Sequence, residues 1–140
     1  MTPKDCPGDL ETFLNGQTLA SVTLASNSNL FSYDAHPMPN TLVVRLNNAG
    51  GDFPEPLITT ARKALIHADV GIIIHGMAGY DGHVQGEALA YAVWGYLQQA
   101  VPSGYIDVLM RESSPTHVGL DPVTQRNLWT MTAVCRYIAS

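Results

Sequence analysis

The segment Gly82–Ala100 constrains the fold of this chain more than any other. Val84, Ala88, Leu89, Ala92, Val93, Tyr96 and Leu97 fall on one stripe at helical spacing. Asp81 occupies the position of an N-cap, and Pro102 with Gly104 ends the run. At 1.5 Å per residue such a helix is roughly 30 Å long. Gly86 and Gly95 lie inside it, and each weakens it by about 1 kcal/mol relative to Ala, which points to close approach to a sheet backbone. Strand-like segments flank the helix on both sides: Thr41–Leu46 and Val70–Met77 before it, Tyr105–Ser113 and Leu128–Ile138 after it. One long helix between the middle and last strands predicts an α+β domain: a largely antiparallel sheet of at least four strands, with the long helix and one or two short helices packed on one face.

The remaining segments are shorter. Asp9–Leu14 repeats Leu10, Phe13 and Leu14 at helical spacing and stops at Asn15-Gly16. Gln17–Ser28 reads as a short strand or an ordered loop. His36-Pro37-Met38-Pro39 reads as a turn. Leu57–Ile66 reads as a short helix or an irregular lead-in to the next strand. Two long polar loops are expected, Asn47–Pro56 and Pro115–Arg126. The 140 residues make one ordinary domain, 1–140.

Charge narrows the function classes. The net charge is −5 and the seven basic residues are scattered, which argues against a nucleic-acid binder. Charged residues make up only 14% of the chain against 46% hydrophobic, a balance that suits a surface partly covered by other protein. No apolar stretch follows Met1, and no run is long enough for a membrane span. Cys6 and Cys135 stand at opposite ends, and two free thiols in a reduced cytosol is the favoured reading.

The chemistry-bearing residues form no catalytic constellation. His36, His67, His75, His83 and His117 show neither an H-x-x-x-H nor an H-x-H pair, although His75 and His83 flank a strand-to-helix turn. The glycine-rich turn Gly76–Gly82 occupies the place of a phosphate loop but lacks the Lys and Ser/Thr of a Walker loop. No catalytic residue, metal or cofactor is expected. In the loop Pro115–Arg126, Asp121 and Arg126 read either as a brace, by salt bridge or hydrogen bond, that shapes a protruding loop, or as unrelated charges on a solvated one. Trp129 shares one face of the last strand with Met131, Ala133, Cys135 and Tyr137. Core packing is its default reading and a subunit contact the sharper alternative.

Four stretches together resemble the minor capsid and tail terminator (tail completion) proteins of tailed bacteriophages. They are Asn29-Leu30-Phe31 with Met38-Pro39; Leu42-Val43-Val44-Arg45-Leu46 ending in Gly50-Gly51; Val70–Met77 followed by the helix Gly82–Leu97; and Pro115, Gly119-Leu120-Asp121 and Arg126 before the closing strand. The resemblance covers most of the chain from Asn29 onward. One departure is Val70–Ile74, almost purely apolar where the family often carries a polar pattern rich in Arg or Gln. The resemblance implies a structural virion protein, not an enzyme. Such proteins form a ring, usually a hexamer, that caps the tail tube, stops its polymerisation and joins the tail to the head connector. The implied partners are further copies of the chain, the tail tube protein and the connector protein, with no sequence-specific nucleic-acid binding and no membrane. The implied location is the tail or neck of the virion, and the host cytoplasm during assembly. Interface candidates are Asn47, Asn48, Gly50 and Gly51 in the first loop, Gly119, Asp121 and Arg126 in the second, and Trp129. The competing readings are a small ligand- or metal-binding α+β enzyme using a pocket of His75, Asp81 and His83, and a generic interaction domain.

Overall fold

A computed structural model describes residues 3–33, 39–52, 55–56, 63–78 and 82–139. Two long strands organise it. β6 (Ala64–His75) and β9 (Asn127–Ala139) pair antiparallel, residue for residue, from Ala64↔Ala139 to His75↔Leu128. Their alternate residues divide cleanly between two faces. Val70, Ile72 and Ile74 of β6 and Trp129, Met131, Ala133, Cys135 and Tyr137 of β9 are buried on one face. Leu65, His67, Asp69, Gly71, Ile73 and His75 share the other face with Leu128, Thr130, Thr132, Val134, Arg136 and Ile138.

Around this pair the sheet order is β3-β4-β6-β9-β7, with β3 (Leu30–Ser32), β4 (Val43–Gly51) and β7 (Asp107–Met110). Two further strands, β5 (Glu55–Pro56) on β6 and β8 (Thr116–Leu120) on β9, complete seven. β3 runs parallel to β4, and the other pairings are antiparallel. A two-residue hairpin, β1 (Thr18–Leu19) and β2 (Val22–Thr23), stands apart.

Both helices described lie on the face of Trp129. α1 (Cys6–Leu14) starts where the Asp5 carboxylate accepts from the Gly8 N–H at 3.2 Å, and Pro7 sits in its first turn. It stops at Asn15, followed by Gly16 in the left-handed region at φ +87°. It buries Leu10 and Leu14 over β3 and β4. α2 (Gly82–Leu97) lies over β9, β6 and β7. Phe13 of α1 stacks on Tyr96 of α2 at 5.4 Å, which closes the helical layer. Each fully buried Leu or Ile in this layer contributes about 1.5–3 kcal/mol.

The α+β architecture expected from the sequence is the one found, with more strands and different boundaries. α2 buries Gly86, Leu89, Ala90, Val93 and Leu97, whereas Val84 and Ala88 face outward. The predicted stripe is therefore rotated, and Gly86 is the reason. A Cβ there would run into the Trp129 ring, with Cη2 at 2.6 Å, so the helix can seat on the indole only through this glycine. Gly95 meets nothing within 4 Å, and the close approach expected of it does not occur. The expected loop Asn47–Pro56 is mostly strand: β4 runs on through Gly51, and β5 follows at Glu55. The strand expected at Val70–Met77 begins at Ala64, so 64–66 is strand and not helix, while 57–62 lies outside the described residues. Tyr105–Ser113 shrinks to β7. The expected loop Pro115–Arg126 contains β8, which leaves a turn at 121–126.

Candidate assembly interface

The outer edge of the sheet is one strand's worth of backbone in two pieces. β7 pairs with residues 133–136 of β9, and β8 pairs with residues 127–130. Residues 111–115 bulge between them, stitched down by Glu112. Its carboxylate accepts from the Thr132 N–H at 2.8 Å, and its carbonyl accepts from Trp94 Nε1 at 3.2 Å. Among the described residues no strand pairs with the far side of β8, so its outward backbone groups are open to a neighbour. β8 has a register shift between His117 and Gly119, and Gly119 sits at φ +121° with open space around it. Ile106, Leu109, Val118, Leu120 and Val123 are all exposed along this edge, Val123 to 88%.

The turn that follows β8 is rigid by construction. The Asp121 N–H donates to the Arg126 carbonyl at 2.8 Å, and the Asp121 carboxylate accepts from the Val123 N–H at 2.9 Å. That backbone N–H holds the Asp121 carboxyl below its ordinary range. Gln125 takes a left-handed conformation at φ +58°.

Of the two expected forms of brace, the hydrogen bond is found, between the Asp121 N–H and the Arg126 carbonyl, and the ion pair is not, because the Arg126 side chain turns elsewhere. Arg126 is 4% exposed and reaches back across the sheet end. Nε donates to the Gly76 carbonyl at 2.6 Å, Nη1 to the Pro39 carbonyl at 2.8 Å, and Nη2 to the Thr41 carbonyl. A planar guanidinium can satisfy three converging carbonyls at once. It ties the turn, the entry to β4 and the exit of β6 into one unit. His75 stands nearby. Burial, then the positive charges of Arg45 and Arg126, push its pKa down to about 4, so this imidazole is neutral at pH 7.

The sheet face opposite the helices carries paired charges. Arg136 and Asp107 form a bidentate pair across β9 and β7. Arg111 binds Asp69 through two bonds of 3.1 and 2.9 Å and lies 3.8 Å from Asp52. His67 Nε2 lies 3.5 Å from Glu55. The hydrogen bond from Arg136 holds the Asp107 carboxyl below its ordinary range.

The sequence-predicted interface residues separate into three groups. Gly119 and Asp121 lie on the outer edge. Asn47, Asn48, Gly50 and Gly51 lie on β4, not on a loop: Asn47 opposes Gly71, Asn48 opposes Val70, and a bulge before Gly51 shifts the register. Asn48 Oδ1 accepts from the Gly50 N–H at 2.8 Å, and Gly51 passes so close to the His67 carbonyl that no side chain fits there. Arg126 and Trp129 are interior. Trp129 is in the core between Gly86, His83 and His117, which favours the core reading over a subunit contact. Of the residues of the competing pocket, His75 and His83 do not come together. His83 packs on His117 at 4.9 Å on the helix side, His75 belongs to the opposite face, and Asp81 lies outside the described residues. Among the described residues no three His, Cys, Asp or Glu side chains group as metal ligands, and no helix is long and apolar enough to cross a membrane. The apolar edge residues Val118 and Val123 went unread in the sequence, because single valines between Pro, Gly and Thr carry no periodic signal.

No protein-family model matches the chain, and no curated protein matches it either.

Proposed function

We propose that this chain is a structural virion protein of a tailed bacteriophage, forming a ring, a hexamer, that caps the tail tube, stops its polymerisation and joins the tail to the head connector. The observation that carries the reading is the apolar outer edge. Both helices described cover one sheet face, and the β7–β8 edge is left with Ile106, Leu109, Val118, Leu120 and Val123 exposed. A solitary domain buries or charges such an edge, while an assembling subunit keeps it for its neighbour. The resemblance motifs bear on the same place, since Gly119-Leu120-Asp121 forms the end of that edge and Arg126 anchors its turn. Repetition of one heterologous contact closes a ring, and the charge-paired open face of the sheet remains for axial partners. The partners are copies of the chain, the tail tube protein and the connector protein, and the location is the neck of the virion.

The test is the mass of the purified protein in solution, alone and with tail tube protein. Six copies of the 15.1 kDa chain give about 90 kDa. A chain that stays monomeric at all concentrations, with and without tube protein, contradicts the reading.

A further inference from the structure

Two imidazoles meet on the helix side of the sheet. His83 stands in the first turn of α2, and His117 stands on β8, directly across from Trp129 of β9. Their ring centroids are 4.9 Å apart and the ring planes are nearly perpendicular, at 82°. Both rings pack on the Trp129 indole, His83 at 5.6 Å and His117 at 5.0 Å, and Trp129 itself is 1% exposed. A buried indole thus holds the pair in place. His117 is exposed and His83 half-buried, so solvent reaches both. His117 Nε2 lies 3.0 Å from Asn127 Oδ1. An amide oxygen only accepts, so in the neutral ring Nε2 carries the proton and Nδ1 keeps its lone pair. Among the described residues nothing hydrogen-bonds to the His83 ring, whose nitrogens are open to a ligand.

We propose that His83 and His117 form a two-imidazole site for a divalent transition metal of the zinc, nickel and copper group. These ions favour imidazole nitrogen, whereas magnesium and calcium favour oxygen. The spacing fits. Such a metal sits about 2.0–2.1 Å from each nitrogen, and two rings that share it at a near-tetrahedral angle have centroids about 5 Å apart. Asn127 makes the outer contact that metal-bound histidines usually have: an oxygen on the second ring nitrogen, which fixes tautomer and orientation. Trp129 sets both rings before the ion arrives, so little side-chain freedom is lost on binding. The net charge of −5 favours a cation, and the positive end of α2 works against one. Among the described residues no third His, Cys, Asp or Glu joins the pair, so water completes the coordination. The consequence is mechanical. β8 pairs with residues 127–130 of β9, and the ion adds a second tie, from β8 to α2. The site goes beyond the ring reading and does not depend on it.

Zinc(II) and copper(II), each titrated into the untagged full chain, test this. Calorimetry is expected to give one zinc per chain, and pulsed electron paramagnetic resonance of the copper(II) protein two coordinated imidazoles. Asn127→Ala keeps both ligands and is expected to weaken zinc binding about tenfold. His83→Gln and His117→Gln are expected to weaken it further, while His67→Gln, on the opposite sheet face, leaves it unchanged. Zinc should raise the melting temperature of the parent and of His67→Gln but not of the double variant His83→Gln/His117→Gln. Melting curves without metal verify that the variants fold; where one does not, the copper spectrum of the parent protein still decides. A spectrum with one imidazole or none overturns the proposal. So does zinc binding that survives in the double variant, and so does a parent chain that takes up no zinc at millimolar concentration.

Discussion

Replacing Arg126 with Met is expected to destabilise the subunit itself. The side chain is 4% exposed and donates to three main-chain carbonyls, those of Gly76, Pro39 and Thr41. A hydrogen bond from a charged donor contributes about 1.5–3 kcal/mol, and an orphaned buried acceptor costs about 1–3 kcal/mol. Against this stands the desolvation of the guanidinium, which Met does not suffer. Burial already holds the Arg126 pKa below its ordinary value, so that opposing effect is real. The balance is a loss of about 3–5 kcal/mol, a fifth or more of the stability of an ordinary domain. For a chain of this length the loss lowers the melting temperature by roughly 10–20 °C. Arg126→Lys retains one or two of the three bonds and falls between. Urea and thermal unfolding of the three proteins measure the series. Asp121→Asn is the control: Asp121 bonds its own turn, so it should not alter the cost of losing Arg126. An Arg126→Met protein within 1 kcal/mol of the parent, or a strong dependence of its effect on Asp121, refutes the reasoning.

Three further outcomes follow from the packing. Gly95→Ala should stabilise by about 0.5–1 kcal/mol through helix propensity, while Gly86→Ala should destabilise by about 1–3 kcal/mol because its methyl enters the Trp129 ring; unfolding curves of opposite sign check the pair. His75 is neutral in the fold, with a pKa near 4 against 6.5 unfolded, so the unfolded chain binds the extra proton. Stability is then complete above pH 6.5 and falls as the pH drops toward 4, by roughly 1–2 kcal/mol after allowing for solvent at the ring, and His75→Asn should flatten that part of the profile. Burial raises both thiols, Cys135 to about 12, so neither should react with a chromogenic disulfide at pH 8 until the chain unfolds, when both react.

How much was legible in the sequence depended on whether a segment kept its period. β9 and the body of α2 were readable because apolar residues recur at fixed spacing over more than ten positions. β6 was read six residues short. His67 and Asp69 interrupt its apolar run, and both lie on the open face, where Glu55 and Arg111 meet them. β4 seemed to end at Asn47 because Asn-Asn and Gly-Gly are turn residues, and here they build a bulge within a strand. The burial phase of α2 could not be taken from its apolar residues, which occur on all sides; one contact, Gly86 on Trp129, sets it. Arg126 was the hardest to read. Its partners are main-chain carbonyls as many as 87 positions away, and side-chain type says nothing of those.

Electron microscopy of phage particles assembled without this protein tests the central claim most directly. The account predicts tails of irregular, excessive length that do not join to heads, with normal length and joining restored when the purified protein is supplied during assembly. Tails of normal length that attach efficiently to heads in its absence would contradict it.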